Sequence, residues 1–208
     1  MKIFDVSMSV HYDMPVYKGK NTKRPALKTE SDFIVNSVYE SKIEMNLHTG
    51  THVDAPLHML LNGYTIDKLP LDKVVTKCKV LDLQAIQEKI TKDHLIDQNI
   101  QECDFILLKT KNSFENLLEG DFVYLDKSGA EYLVKKCIKG VGIDALGIER
   151  NQADHDTHKL LFGADIVIIE GLRLSSVKEG EYLLVAAPIN IAGAEAAPAR
   201  ALLIDVVG

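Results

Sequence analysis

Between positions 48 and 58 the chain reads His48, Thr49, Gly50, Thr51, His52, Val53, Asp54, Ala55, Pro56, Leu57, His58, so three of its seven histidines and a carboxylate fall within one short run. Neutral imidazole nitrogens and a carboxylate oxygen are the ligand set of zinc and manganese, which makes the run a candidate metal site. A helix would put His48 and His52 on one face and turn Asp54 and His58 away, at about 100° per residue. Two β-branched threonines, Gly50 and Pro56 disfavour a helix in any case. A straight strand aligns the even-numbered side chains but spreads His48 to Asp54 over roughly 20 Å, too far for one ion bound at about 2 Å. The segment is therefore predicted to be extended and bent at Gly50. Taken alone, the run fits either a closed structural site or a catalytic one with an open position, and chance clustering in a loop remains the bland alternative.

A second group of candidates lies between Asp154 and Gly171. The pattern predicts a short helix carrying His155 and His158, a turn at Gly163, and a buried strand over Ile166–Ile169 that delivers Glu170 to the edge of the core. An unpaired carboxylate there is expensive, and a metal removes that cost. A glutamate emerging into solvent and a half-exposed helix face would produce the same pattern. Along such a path His158 lies about 7 Å from the turn and Glu170 nearer 20 Å, so the two do not meet unaided.

Positioning these residues falls to alternating apolar and amphipathic segments. Strands are predicted at Lys79–Leu83, Phe105–Lys109, Val141–Asp144, Ile166–Ile169 and Tyr182–Ile191, and the Glu30–Glu44 region as a strand pair leading into the histidine run. Ser128–Ile138 is predicted as a helix with Tyr132, Leu133 and Val134 inward, Lys135 and Lys136 outward, and Gly140 as its stop. Strands interleaved with helices indicate an α/β fold with a mixed β core, and no repeat or linker divides residues 1–208, so a single domain is expected.

With 46% hydrophobic residues in a chain of 208, one substantial core is available. A net charge of −6, a pI near 5.6 and dispersed basic residues argue against a nucleic-acid partner. No apolar run reaches membrane-spanning length and the N-terminus lacks a signal-peptide core. Cys78, Cys103 and Cys137, odd in number and without a CxxC pair, are expected to be buried thiols in a reducing compartment, so a cytoplasmic protein is expected. His11 and His94 are expected at the surface, and Arg200 to pair with an acidic residue rather than bind substrate.

The segments HTGTHVDAPLH, HKLLFGADIVIIEGL and EGEYLLVAAPINIAGAEAAPARALL together resemble the cyclase family of metal-dependent hydrolases, whose best-known members are bacterial kynurenine formamidases. The resemblance runs over nearly the whole chain, and the histidine run fits the pattern HxGTHxDxPxH at every fixed position. It implies a compact, swivelling β/β/α-like fold. It also implies that His48, His52 and Asp54 bind one divalent ion, that His158 belongs to a second, that Asp54 and Glu170 touch both, and that His58 is the catalytic acid/base. Five protein ligands exceed what one open tetrahedral ion takes, which agrees with two ions, zinc foremost and manganese next. The implied reaction is amide hydrolysis, N-formylkynurenine to kynurenine and formate, by attack of a metal-activated water. Opening of a cyclic amide such as isatin is the runner-up, and a non-enzymatic metal-binding protein the competing class. Tyr17 stands where kynurenine formamidases tend to have tryptophan against the aryl group, in a chain with no tryptophan at all. A small-molecule amide is thus the expected partner, and the family resemblance alone implies a homodimer or homotetramer.

Overall fold

The computed structural model describes residues 1–115 and 121–205. Along the chain lie β1 (Lys2–Asp5), β2 (Ala26–Ser31), β3 (Glu40–Glu44), β4 (His52–Asp54), β5 (Val75–Asp82), β6 (Lys89–Ile90), α1 (Lys92–Leu95), β7 (Phe105–Lys109), β8 (Tyr124–Leu125), α2 (Lys127–Lys135), β9 (Gly140–Ile143), α3 (Asp156–Gly163), β10 (Val167–Glu170), β11 (Gly180–Val185), β12 (Ala196–Pro198) and β13 (Leu202–Asp205). Nine strands form one mixed sheet in the order β1-β13-β11-β5-β7-β9-β10-β4-β12. The central four, β5, β7, β9 and β10, are parallel, and antiparallel pairs flank them on both sides. Crossovers carrying α1, α2 and α3 join the parallel strands, the arrangement that parallel pairing requires.

The centre of the sheet explains itself from sequence. β7 reads Phe-Ile-Leu-Leu-Lys and is buried along its whole length, as a parallel strand covered on both faces must be. Its odd and even side chains enter different cores: Ile106 and Leu108 pack with Leu133, Leu161 and Ile168, whereas Phe105 and Leu107 pack with Val53, Val80 and Ile169. Gly140 is not a helix stop. It opens β9, where a Cβ would lie 2.2 Å from the Phe105 ring. α2 ends earlier, at Lys135, and the chain turns at Cys137 with φ +52°. The Asp126 side chain caps its N-terminus by accepting from the Gly129 amide at 2.9 Å.

Other expectations need correction. The strand predicted over Tyr182–Ile191 stops at Val185; beyond it Pro188 forms an isolated bridge with Ala199, and the chain re-enters the sheet as β12. Of the cysteines only Cys78 is buried; Cys103 and Cys137 are exposed, each at a backbone turn with positive φ. β2 and β3 do pair, but β2 begins at Ala26, ahead of the predicted Glu30–Glu44 region, and the two form an arm outside the main sheet, with a register shift between Thr29 and Ser31. No helix among the described residues is long and apolar enough to cross a membrane.

Candidate metal centre

The histidine run bends where predicted. Gly50 takes φ +66°, and the next residue, Thr51, pins the bend by donating to Gly171 O at 2.6 Å and accepting from the Met8 amide at 2.7 Å. β4 then threads between β10 and β12. Alternation puts His52 and Asp54 on one face and sends Val53 into the core. The register sets Glu170 directly opposite His52, so the two project from the same face. His58 follows in the single 3-10 turn Pro56–His58, which Pro56 begins.

α3 supplies His158 from its first turn. The chain reverses at Asp165, φ +57°, two residues beyond Gly163, and β10 runs back toward the start of the helix. The cluster therefore sits past the carboxyl ends of parallel strands β9 and β10, where open α/β sheets bind ligands.

His52 Nε2 lies 3.4 Å from Asp54 Oδ1 and 3.4 Å from Glu170 Oε2. His158 Nε2 lies 3.3 Å from Glu170 Oε1 and 3.8 Å from Asp54 Oδ2. His48 Nδ1 lies 2.9 Å from Asp54 Oδ1, without hydrogen-bond alignment. Four buried atoms, His52 Nε2, Asp54 Oδ1, Asp54 Oδ2 and His158 Nε2, have no hydrogen-bond partner. Orphaned polar atoms at this depth are costly, and here they all face one another. Ligands at about 2.0–2.1 Å on tetrahedral directions are separated by about 3.3–3.4 Å, the distance of His52 Nε2 from both Asp54 Oδ1 and Glu170 Oε2, 3.4 Å each. The donor set thus fits divalent cations. His52, Asp54 and Glu170 form one group able to hold an ion, and His48, Asp54 and His58 a second. His58 therefore lies within ligand reach of His48 and Asp54, its ring centroid 4.2 Å from that of His48.

Electrostatics give the same picture. Burial favours neutral imidazole at His52, yet Asp54 and Glu170 override it and lift its pKa to about 9. Burial is likewise overridden at His158, which Asp54, Glu149 and Glu170 hold well above the usual histidine range. Burial and Asp54 push Glu170 up, but His158 and His52 bring it down to about 2. Asp54, despite burial, is held well below the carboxylate range by His52, His158 and His48. Protons on His52 and His158 here stand in for cations. His58 differs: burial lowers its pKa and the opposing pull of Asp54 does not restore it, leaving a neutral imidazole near pH 7.

Two carboxylates escaped the sequence reading. Glu149, buried in the loop after β9, accepts from Nδ1 of His158 and Nδ1 of His155, both at 2.8 Å, and from the Thr157 amide at 3.0 Å. It thereby fixes His158 with Nε2 toward the cluster. Glu195, just before β12, places Oε1 3.4 Å from His48 Nε2. Neither has a spacing pattern that sequence alone exposes. Ile148 adds its amide to Glu170 Oε1 at 2.6 Å. His155, by contrast, is exposed and outside the cluster proper. His11 and His94 are at the surface, and Arg200 Nε donates to Asp5 Oδ2 at 2.8 Å on the exposed edge, away from the cluster.

A cavity of about 210 Å³ opens over these residues. Tyr17, Met59 and Leu146 form its apolar wall, facing His58, His158 and Glu170. Tyr17, half-buried, is brought there by the single turn Tyr17–Gly19. Its hydroxyl pKa is raised by burial and by Glu170 and Glu149.

Imidazoles and carboxylates converging past the ends of parallel strands place this chain among α/β proteins built around a histidine–carboxylate divalent-metal site. Residues 4–150 match the family described as putative cyclase, and the chain belongs to that family. It is 31% identical over 208 residues to the kynurenine formamidase of Salinibacter ruber, covering 99% of this chain and 98% of that one. A solved structure described as a predicted metal-dependent hydrolase from Bacillus stearothermophilus is 50% identical, with a TM-score of 0.89 and 97% of each chain covered. Isatin hydrolase A from Labrenzia aggregata, solved with benzyl benzoate, shares the fold at 23% identity, with a TM-score of 0.83 and coverage of 97% of this chain and 93% of that one. The formamidase relative supports a hydrolase acting on amides, and the histidine–carboxylate groups suggest divalent-cation binding.

Proposed function

We propose that the chain is a metal-dependent amide hydrolase of the arylformamidase type, cleaving an N-formyl aryl amine such as N-formylkynurenine. The observation that carries this reading is the set of buried, unpartnered Nε2 and Oδ atoms facing one another below a cavity whose wall holds a neutral imidazole. His48, His52, Asp54, His158 and Glu170 would hold two divalent cations, zinc or manganese, which when bound supply an activated water and electrophilic stabilisation of the oxyanion. His58 accepts a proton from the attacking water and returns it to the leaving nitrogen, a role that suits an imidazole left neutral near pH 7. Tyr17 gives the aryl group a flat apolar partner, and Met59 and Leu146 keep water from the back of the cavity. Glu149 keeps His158 in the tautomer that presents Nε2.

The protein is further proposed to act as a homo-oligomer in a reducing compartment, the cytoplasm. Three free cysteines support the compartment. The β2–β3 arm supports the assembly: Leu27, Phe33, Ile34, Val35, Val38 and Tyr39 on it are each more than half exposed, and a lone two-stranded ribbon is marginal in water.

The test is turnover of N-formylkynurenine, isatin and simple esters by protein stripped of metal and reloaded separately with zinc and manganese. Metal-dependent release of formate establishes the reading. Opening of isatin alone transfers the same chemistry to a cyclic amide, and no turnover of any substrate leaves a metal-binding protein.

A further inference from the structure

The cavity over the cluster contains one ammonium, that of Lys23, and the same residue lines the small pocket adjoining it. Lys23 is half-buried beside Tyr17, its Nζ 5.5 Å from the ring centroid. Among the described residues this contact is the one interaction of its ammonium: no carboxylate pairs with Nζ and no carbonyl accepts from it, the backbone amide alone donating to Lys20 O at 2.8 Å. The neighbouring cations are otherwise engaged. Arg24 donates to Tyr12 O and Met14 O, each at 3.0 Å, and Lys28 pairs with Glu30 at 3.1 Å. Lys18 faces the Tyr17 ring at 5.3 Å but does not line the cavity.

The carboxylates on the cavity wall cannot serve Lys23, because His155 and His158 occupy Glu149, and His52 and His158 face Glu170. A ligand that fills the cavity displaces water from a half-buried ammonium, and that loss is compensated when the ligand brings an anion. Resting on the amide-hydrolase reading above, we infer that Lys23 is a specificity residue that binds a carboxylate on the substrate, so that this chain acts on anionic aryl amides in preference to neutral ones. The size of the space agrees. It falls below the roughly 300 Å³ at which sites for drug-sized ligands begin, so a single ring with a carboxylate on a short tether suits it. A ring against Tyr17 leaves such a substituent within reach of Nζ.

The experiment compares 2-formamidobenzoate with its methyl ester and with formanilide, on metal-loaded wild type, Lys23→Gln and Lys23→Arg. Lys23→Gln should lower kcat/KM for 2-formamidobenzoate about tenfold, chiefly through KM, with the two neutral substrates unchanged and Lys23→Arg restoring the acid. Raised salt should erode the wild-type preference for the acid and leave the ester alone. An equal fall on all three substrates makes Lys23 a packing residue, and no change on any makes it a bystander; either overturns the inference while amide hydrolysis stands. Should none of the three be hydrolysed, the amide-hydrolase reading is decided separately, by turnover of N-formylkynurenine and isatin. Equilibrium binding of 3-phenylpropionate against 3-phenylpropionamide then decides Lys23. About tenfold weaker binding of the acid alone to Lys23→Gln supports the anion site, whereas equal binding of the acid to both proteins refutes it.

Discussion

Glu149→Gln tests whether the metal centre depends on a side chain that reaches it through the far nitrogen of His158. Glu149 Oε1 accepts from the Nδ1 atoms of His158 and His155 at 2.8 Å, and Oε2 accepts from the Thr157 amide at 3.0 Å. A glutamine has one acceptor oxygen. If that oxygen stays with the histidines, its NH2 faces the Thr157 N–H; if it turns to Thr157, the NH2 faces two imidazole N–H groups. Either orientation sets donor against donor in a site that is 4% exposed. One lost hydrogen bond with a buried donor left over costs about 1–3 kcal/mol. Part of that is recovered if His158 flips its tautomer, but a flip takes the lone pair of Nε2 away from the cluster. The expected result is a 10- to 100-fold loss of metal affinity with the fold intact. Competition against a graded chelator, with near-UV circular dichroism of the metal-free variant as the control for folding, measures it. Wild-type affinity in a folded variant would refute the claim that Glu149 orients His158.

His58→Ala should lower kcat on whichever amide is turned over by about 10²- to 10⁴-fold with metal content unchanged; loss of metal instead makes His58 a ligand with His48 and Asp54, as their proximity permits. Gly171→Ala should cost about 3 kcal/mol or more in urea denaturation, since φ is +71° and a Cβ there lies 2.2 Å from Gly50 O, the bend that aims His52. For pH, His52 has a folded pKa raised to about 9 from an ordinary value near 6.5, so its contribution to metal-free stability is complete below about 6.5 and lost as pH rises through about 9. The melting temperature of metal-free protein should therefore fall over that window. At pH 7 metal binding must expel the same proton, so calorimetry in buffers of differing ionisation enthalpy should show net proton release, and none would contradict the protonated cluster.

How much of this was legible beforehand follows from where each residue's partners lie. His48, His52 and Asp54 could be read because their ligand geometry is made within seven residues: alternation sets the face and Gly50 sets the bend. Glu170 could be placed at the edge of the core, but its partner could not, because cross-strand register is a property of two segments more than a hundred residues apart. Glu149 and Glu195 carried no signal at all; each is one acidic residue in a loop, distinguished only by what the fold brings beside it. The arm differs again: its strand pair could be read from alternation, but nothing local shows that Phe33, Ile34 and Val35 between the strands lie in solvent.

The pairing of His158 with Glu170 shows what a segment-by-segment sketch omits. Distances of about 7 and 20 Å from a turn at Gly163 left about 13 Å unaccounted for when helix and strand run back along each other. The turn lies at Asp165, where a non-glycine residue takes φ +57° and Tyr64 donates to its carboxylate at 3.0 Å while Lys73 pairs with it. Two residues moved from strand to helix side lengthen one arm by about 3 Å to about 10 Å and shorten the other by about 7 Å to about 13 Å, leaving about 3 Å, which an imidazole and a glutamate side chain span between them. The separation of the two ligands is thus set at the far end of the hairpin from the metal site, by Asp165 and the residues that hold it.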